Sequence, residues 1–133
     1  MHTPSQNVRE SQRRILICED NNDLVMLMRL ALKLEEYQVE SLTSMETVVE
    51  KTREFRPHLI LMDLRMPNIS GKEAVELLRQ HRDTAAIPTV LVSANAQVGE
   101  IAEELGLPYL VKPFHIKELR QMVGAQLKQP AEA

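Results

Sequence analysis

Two hydrophobic periods alternate along this chain. Short apolar runs close on polar turn residues, and between them apolar residues recur three and four apart. The short runs are Ile15-Leu16-Ile17-Cys18, a half-polar segment from Tyr37 to Ser41, His58 to Met62, Ile87 to Val92, and Leu107 to Val111. Runs this short, bounded by turns, predict strands, with Ile15 to Cys18 buried, His58 to Met62 buried on both faces and Tyr37 to Ser41 at an edge. The helical periods begin at polar residues able to accept from free helix N–H groups. Asn21-Asn22-Asp23 opens a helix to about Glu36, and Ser44 one carrying Met45, Val48, Val49 and Phe55 up to Pro57. Ser70, with Glu73 three residues on, has the pattern of a capping box. A short helix fits between Ala96 and Leu105, closed by Gly106, and Ile116, Leu119, Val123 and Leu127 mark the last. In the first helix only Asn22, Arg29, Lys33 and Glu36 form a polar stripe, which predicts a helix well covered by neighbours, with Met26 and Met28 in the core.

Strand and helix alternate five times, the signature of a parallel sheet with helices on both faces. Right-handed crossovers leave two common doubly wound orders. The flavodoxin-like (βα)5 order 2-1-3-4-5 sets strands 1 and 3 side by side at the switch point. The expected domain is 14–128, with 1–13 and 129–133 as flexible tails.

Composition narrows the class. A chain of 133 residues is one domain by size. Net charge is −3 and no basic stripe stands out, so direct nucleic-acid binding has no electrostatic support. Cys18 lies in the first apolar run and reads as an inert buried thiol. The N-terminus lacks the apolar core of a signal peptide, and no run is long enough to span a membrane, so a cytoplasmic protein is expected.

Four strand ends carry chemistry: Glu19-Asp20, Asp63, Ser93 and Lys112. Each follows an apolar run, so all fall on one edge of the sheet. A lone acid after a strand is ordinarily a helix cap or a solvated loop charge, but four such ends of matching chemistry favour a site. Three carboxylates at close quarters repel, and an all-oxygen set suits Mg²⁺ (or Mn²⁺). Asp63 can act as a nucleophile that accepts a phosphoryl group, with Asp20 and Asp63 holding the metal. Lys112 supplies a point charge and Ser93 a hydroxyl for the phosphoryl oxygens.

At these residues the chain resembles the receiver domains of bacterial two-component response regulators. The matching pieces, in order, are Ile15 to Asp20, Met62-Asp63-Leu64-Arg65-Met66-Pro67 with Gly71, Val92-Ser93-Ala94, and Tyr109 to Phe114. The resemblance implies that Asp63 is the phosphoacceptor, fed by a sensor histidine kinase or phosphotransfer protein. It implies Asp20 as a direct Mg²⁺ ligand, Glu19 as one through water, and the backbone carbonyl of Arg65 as another. Ser93 would be the switch hydroxyl and Tyr109 the switch aromatic. Lys112 would pair with the phosphoryl group, with its bond to Pro113 cis. Phosphorylation would shift a population toward one conformer and reshape the face of the fourth helix, fifth strand and fifth helix. The positions two beyond Asp63 and Ser93, Arg65 and Asn95, would tune phosphoryl lifetime.

The stretch from Ser93 to Lys112 is shorter than is usual in the family, and the loss falls in the fourth helix. No DNA-binding or catalytic module follows Leu127, so the expected output is protein–protein contact with an unknown target, a phosphorelay or a further domain. Dimerisation on phosphorylation is compatible with the family. The chain is expected to be a signalling domain that catalyses only its own phosphorylation and dephosphorylation. The main alternative is a pseudo-receiver that binds partners without phosphorylation. A hydrolase would want an acid where Arg65 stands, and a flavin carrier would want aromatics, which are 3% of the chain.

Overall fold

The computed structural model describes residues 12–128; the expected tails lie mostly outside them. Five strands form one parallel sheet in the order β2-β1-β3-β4-β5: β1 Arg14–Cys18, β2 Gln38–Leu42, β3 Leu59–Met62, β4 Thr89–Ser93 and β5 Tyr109–Val111. The long helices are α1 Asn22–Lys33, α2 Val48–Phe55, α3 Gly71–Arg79, α4 Val98–Leu105 and α5 Ile116–Leu127.

The strands β1, β3 and β4 read as continuous apolar runs because both their faces are covered. Successive side chains point to opposite faces. Leu16, Cys18, Ile60, Met62 and Leu91 pack against Val48 and Phe55 of α2, Ala74, Val75 and Leu78 of α3, and Val98 and Ala102 of α4. Ile15, Ile17, Leu59, Leu61, Val90 and Val92 pack on the other side against Val25, Met28 and Leu32 of α1 and Leu119 and Val123 of α5. The pairing of Cys18 with Met62 leaves Glu19 and Asp63 as the next residues of two adjacent strands.

Local chemistry sets most helix ends. Asn21 Oδ1 accepts from the Leu24 amide at 3.1 Å, capping α1. Ser70 and Glu73 form a complete capping box at α3. Gly106 closes α4 at φ 71°, a left-handed conformation that glycine adopts without a Cβ penalty.

Three expectations need correction. First, α1 stops at Lys33, and Glu36 turns to φ 68°. Its outer side is not covered: Met26, Leu27, Leu30 and Leu34 are 49–76% exposed, while Met28 is buried. The sheet and α5 take only the side carrying Val25, Met28 and Leu32, and no described element lies over the other. Second, Ser44 caps nothing. A 3₁₀ turn, Met45–Thr47, precedes α2, and the Ser44 hydroxyl is buried with no hydrogen-bond partner among the described residues. Third, the approach to β4 contains an unanticipated one-turn helix, Arg82–Ala85, held by Thr84 Oγ1 donating to the Leu78 carbonyl at 2.6 Å.

Candidate phosphoacceptor site

The site lies where β1 and β3 end side by side. The Asp63 amide donates to the Cys18 carbonyl at 3.0 Å, continuing the ladder one step past both strands. Asp63 is therefore fixed at its main chain while its carboxylate reaches the mouth of the sheet; it is 5% exposed and Glu19 is 2% exposed. Asp20, the next residue, is exposed. One carboxylate oxygen from each of Glu19, Asp20 and Asp63 lies within 4.8 Å of the others.

Lys112 enters this cluster from the end of β5. Its Nζ donates to Glu19 Oε1 at 2.7 Å and to Asp63 Oδ2 at 2.9 Å. The remaining oxygens meet main-chain donors: Glu19 Oε2 accepts from the Asn21 amide at 3.1 Å, and Asp63 Oδ1 from the Arg65 amide at 3.2 Å. Burial, and secondarily the charge of Asp63, push the Glu19 carboxyl above its usual range, against the pull of Lys112. One ammonium among three carboxylates leaves the cluster two charges negative. A hard divalent cation with oxygen preference fits that donor set. The Lys112–Pro113 peptide bond is cis.

The acids open on a cleft of about 680 Å³, which Asn21, Arg65, Met66, Pro67, Ser70, Ala94 and Lys112 also line. Ser93 is fully buried, its Oγ accepts from the Asn95 amide at 3.1 Å, and it does not line the cleft; its neighbour Ala94 does. Tyr109 lies outside the cluster, 43% exposed, against Gly99 of α4, where a Cβ would come within 3.2 Å of its hydroxyl oxygen. The structure therefore brings Glu19, Asp20, Asp63, Arg65 and Lys112 together, and leaves Ser93 and Tyr109 a short distance behind them.

A further positioning residue escaped the sequence reading. In the sequence Gly71 stands only as part of the motif that follows Asp63. A Cβ there would lie 2.1 Å from the Asp63 carbonyl oxygen and 2.8 Å from Leu64 Cα. The Gly71 amide donates to the Leu64 carbonyl at 2.9 Å, closing the loop that follows Asp63. The signal was available: a glycine at the first turn of a helix, where it has no conformational advantage, implies close backbone approach.

A doubly wound sheet with an acidic cluster and a lysine at its switch point is an arrangement able to hold a divalent cation beside a buried carboxylate. The sequence pattern of the response regulator receiver domain matches residues 15–124, and the chain belongs to that family. It is 29% identical over 119 residues to the phosphate regulon transcriptional regulatory protein PhoB of Rhizobium meliloti, covering 87% of this chain and 52% of that protein. It is 33% identical over 119 residues to the response regulator ArlR of Staphylococcus saprophyticus, covering 87% and 53%. The chain spans about half the length, or less, of the curated relatives it matches. Among solved structures, it is similar to the receiver domain of a sensor histidine kinase from Pseudomonas aeruginosa. The TM-score is 0.79 at 28% identity, over 88% of this chain and 98% of that one. That domain was solved with a magnesium ion coordinated in its active-site cleft. Receiver domains are signalling domains of two-component systems rather than classical enzymes, and phosphorylation and magnesium binding are general properties of the family.

Proposed function

We propose that this chain is a phosphorylation switch with Asp63 as the acceptor. The supporting observation is the placement of Asp63 among Glu19, Asp20 and Lys112 at the end of the central strand. In the reaction, an Asp63 carboxylate oxygen forms a bond to phosphorus while the bond from phosphorus to a phosphohistidine nitrogen breaks. The departing imidazole keeps that electron pair. Glu19, Asp20, Asp63 and the backbone carbonyl of Arg65 would hold Mg²⁺, whose contribution is to neutralise charge on the transferring group. Lys112 exchanges its present bond to Asp63 for one to a phosphoryl oxygen. Ser93 turns its hydroxyl from the Asn95 amide toward another oxygen, and the space it leaves admits Tyr109. Pro113 directs the chain that carries Lys112.

The phosphodonor is a sensor histidine kinase or a phosphotransfer protein. The exposed stripe Met26, Leu27, Leu30 and Leu34 begins one turn into α1, which follows Glu19-Asp20, and has the three-and-four spacing of a helix-packing seam. A helical donor resting there would bring its imidazole to the cleft. The functional unit is 14–128, acting in the cytoplasm. Its output passes to a protein target through α4, β5 and α5. No described helix is long and apolar enough to cross a membrane.

The test is intact mass after incubation with Mg²⁺ and acetyl phosphate, for wild type and Asp63→Asn. An adduct on wild type alone, acid-stable, base-labile and lost in EDTA, supports the reading. No adduct on wild type with either acetyl phosphate or a phosphorylated kinase favours a pseudo-receiver. Equal labelling of both proteins assigns the wrong nucleophile.

A further inference from the structure

A second cleft, of about 460 Å³, opens at the opposite edge of the sheet, where β1 and β3 begin and α2 ends. Arg14, Thr52, Arg53, Arg56, His58 and Asp83 supply its polar lining. Basic residues near a helix C-terminus often only complement its dipole. Here that role is already filled by a strand residue. Arg14 Nε donates to the Phe55 carbonyl at 3.0 Å and to the Arg56 carbonyl at 2.8 Å, at the end of α2.

Donors outnumber acceptors throughout the cleft. The Arg14 amide donates to His58 Nδ1 at 2.9 Å, so a neutral imidazole carries its proton on Nε2 and offers a donor there. Among the described residues Asp83 is the one carboxylate in the lining, and Arg53 engages it, Nε to Oδ2 at 2.8 Å and Nη2 to Oδ1 at 3.4 Å. Thr52 is 1% exposed, and its hydroxyl has no hydrogen-bond partner among the described residues. Burial, then the charges of Arg14 and Arg13, hold the His58 imidazole below its usual pKa, as a positive local potential requires. Three guanidinium groups thus face one carboxylate, with a neutral imidazole donor beside them.

We propose that this cleft binds a phosphate-type oxyanion, free or as a phosphomonoester, on Arg14, Arg53, Arg56 and the Nε2–H of His58. Guanidinium forks match the geometry of phosphate oxygens, and a site with surplus donors gains most from an acceptor-only ligand. The acidic cleft at the other edge repels such an anion when no metal is present, so the two sites can be told apart.

The experiment is amide NMR of the full chain in EDTA at constant ionic strength, titrated with orthophosphate and, separately, with glycerol 3-phosphate. The expected result is saturable shifts at Arg14, at 52–56 and at His58, with dissociation constants in the low millimolar range or tighter. Arg56→Asn and Arg53→Gln should each weaken binding about tenfold, the effect of one charge-assisted hydrogen bond. Asparagine suits position 56, where φ is 54°. Asp63→Asn, at the other edge of the sheet, should leave the phosphate dissociation constant at this cleft unchanged. Shifts with orthophosphate assign the free anion; shifts with the ester alone assign a phosphomonoester. No saturation with either up to about 50 mM overturns the proposal. So do shifts that sodium chloride reproduces, or binding that neither arginine variant weakens.

Discussion

Gly71→Ala separates the placement of Asp63 from the mere presence of its carboxylate. The added methyl would sit 2.1 Å from the Asp63 carbonyl oxygen, and contacts of this kind are essentially never shorter than 3.0 Å. The two groups must therefore part by about 0.9 Å. Neither is a flexible side-chain end: one is the main chain of Asp63, whose amide donates a hydrogen bond to the Cys18 carbonyl at 3.0 Å, and the other is the first turn of α3, where the Gly71 amide donates to the Leu64 carbonyl at 2.9 Å. Overpacking of this sort costs about 1–3 kcal/mol. Alanine's better helix propensity offsets up to about 1 kcal/mol. A net loss of about 1–2 kcal/mol follows, or roughly 4–8 °C in Tm for a domain of this size. A displacement near 1 Å at a reacting group costs about a hundredfold in rate. Thermal unfolding and the rate of Mg²⁺-dependent labelling by acetyl phosphate are the assays. Val75→Ala is the control: Val75 is buried in the same helix away from the cleft, so it should lose about 2 kcal/mol while labelling normally below its Tm. A Gly71→Ala protein within about 2 °C of wild type and labelling within about twofold would refute the reasoning.

The other predictions rest on different contacts. Lys112→Met leaves Glu19 and Asp63 buried with no cation between them, so stability in EDTA should fall by about 3 kcal/mol; added Mg²⁺ should restore more of it than it adds to wild type, as denaturant titrations would report. Equal response of both proteins to Mg²⁺ would count against the charge argument. His58, held below its ordinary pKa of 6.5, is protonated less readily in the folded chain than in the unfolded one. The unfolded state thus takes up more protons as pH falls below about 6.5, and stability drops there. His58→Gln should flatten the fall in Tm between pH 7.5 and 5.5, whereas an unchanged slope would place the effect elsewhere. Leu30→Glu puts a charge in the middle of the exposed α1 stripe; transfer from a phosphorylated kinase should slow about tenfold or more while labelling by acetyl phosphate stays normal. Parallel loss in both assays would indicate a structural fault instead of a docking one.

How much of this was legible in the sequence depended on the range of the interactions involved. The strands β1, β3 and β4 announced themselves because burial on both faces demands an unbroken apolar run, and each run ended at the residue that carries the chemistry. The capping box at Ser70 was equally plain, since its two bonds join residues three apart. Ser44 offered the same kind of signal and formed no cap, because a 3₁₀ turn there changed the geometry the cap requires.

Faces and clefts were a different matter. The sequence of α1 specified a helix that is apolar nearly all round, but which side is covered depends on where the sheet and α5 lie, and they take only one. The sequence placed Ser93 at a strand end and Tyr109 within the last strand, yet only the folded chain turned the serine hydroxyl to the Asn95 amide and laid the tyrosine ring along Gly99. The basic cleft joins Arg14, the end of α2 and Asp83, residues far apart in the chain that no local pattern relates. Periodicity, caps and turns are settled by neighbours within a few residues, so the order of residues determines them. Sheet order followed from the alternation of elements, but coverage, side-chain direction and the gathering of distant charges depend on how those elements pack, and only the folded chain decides that.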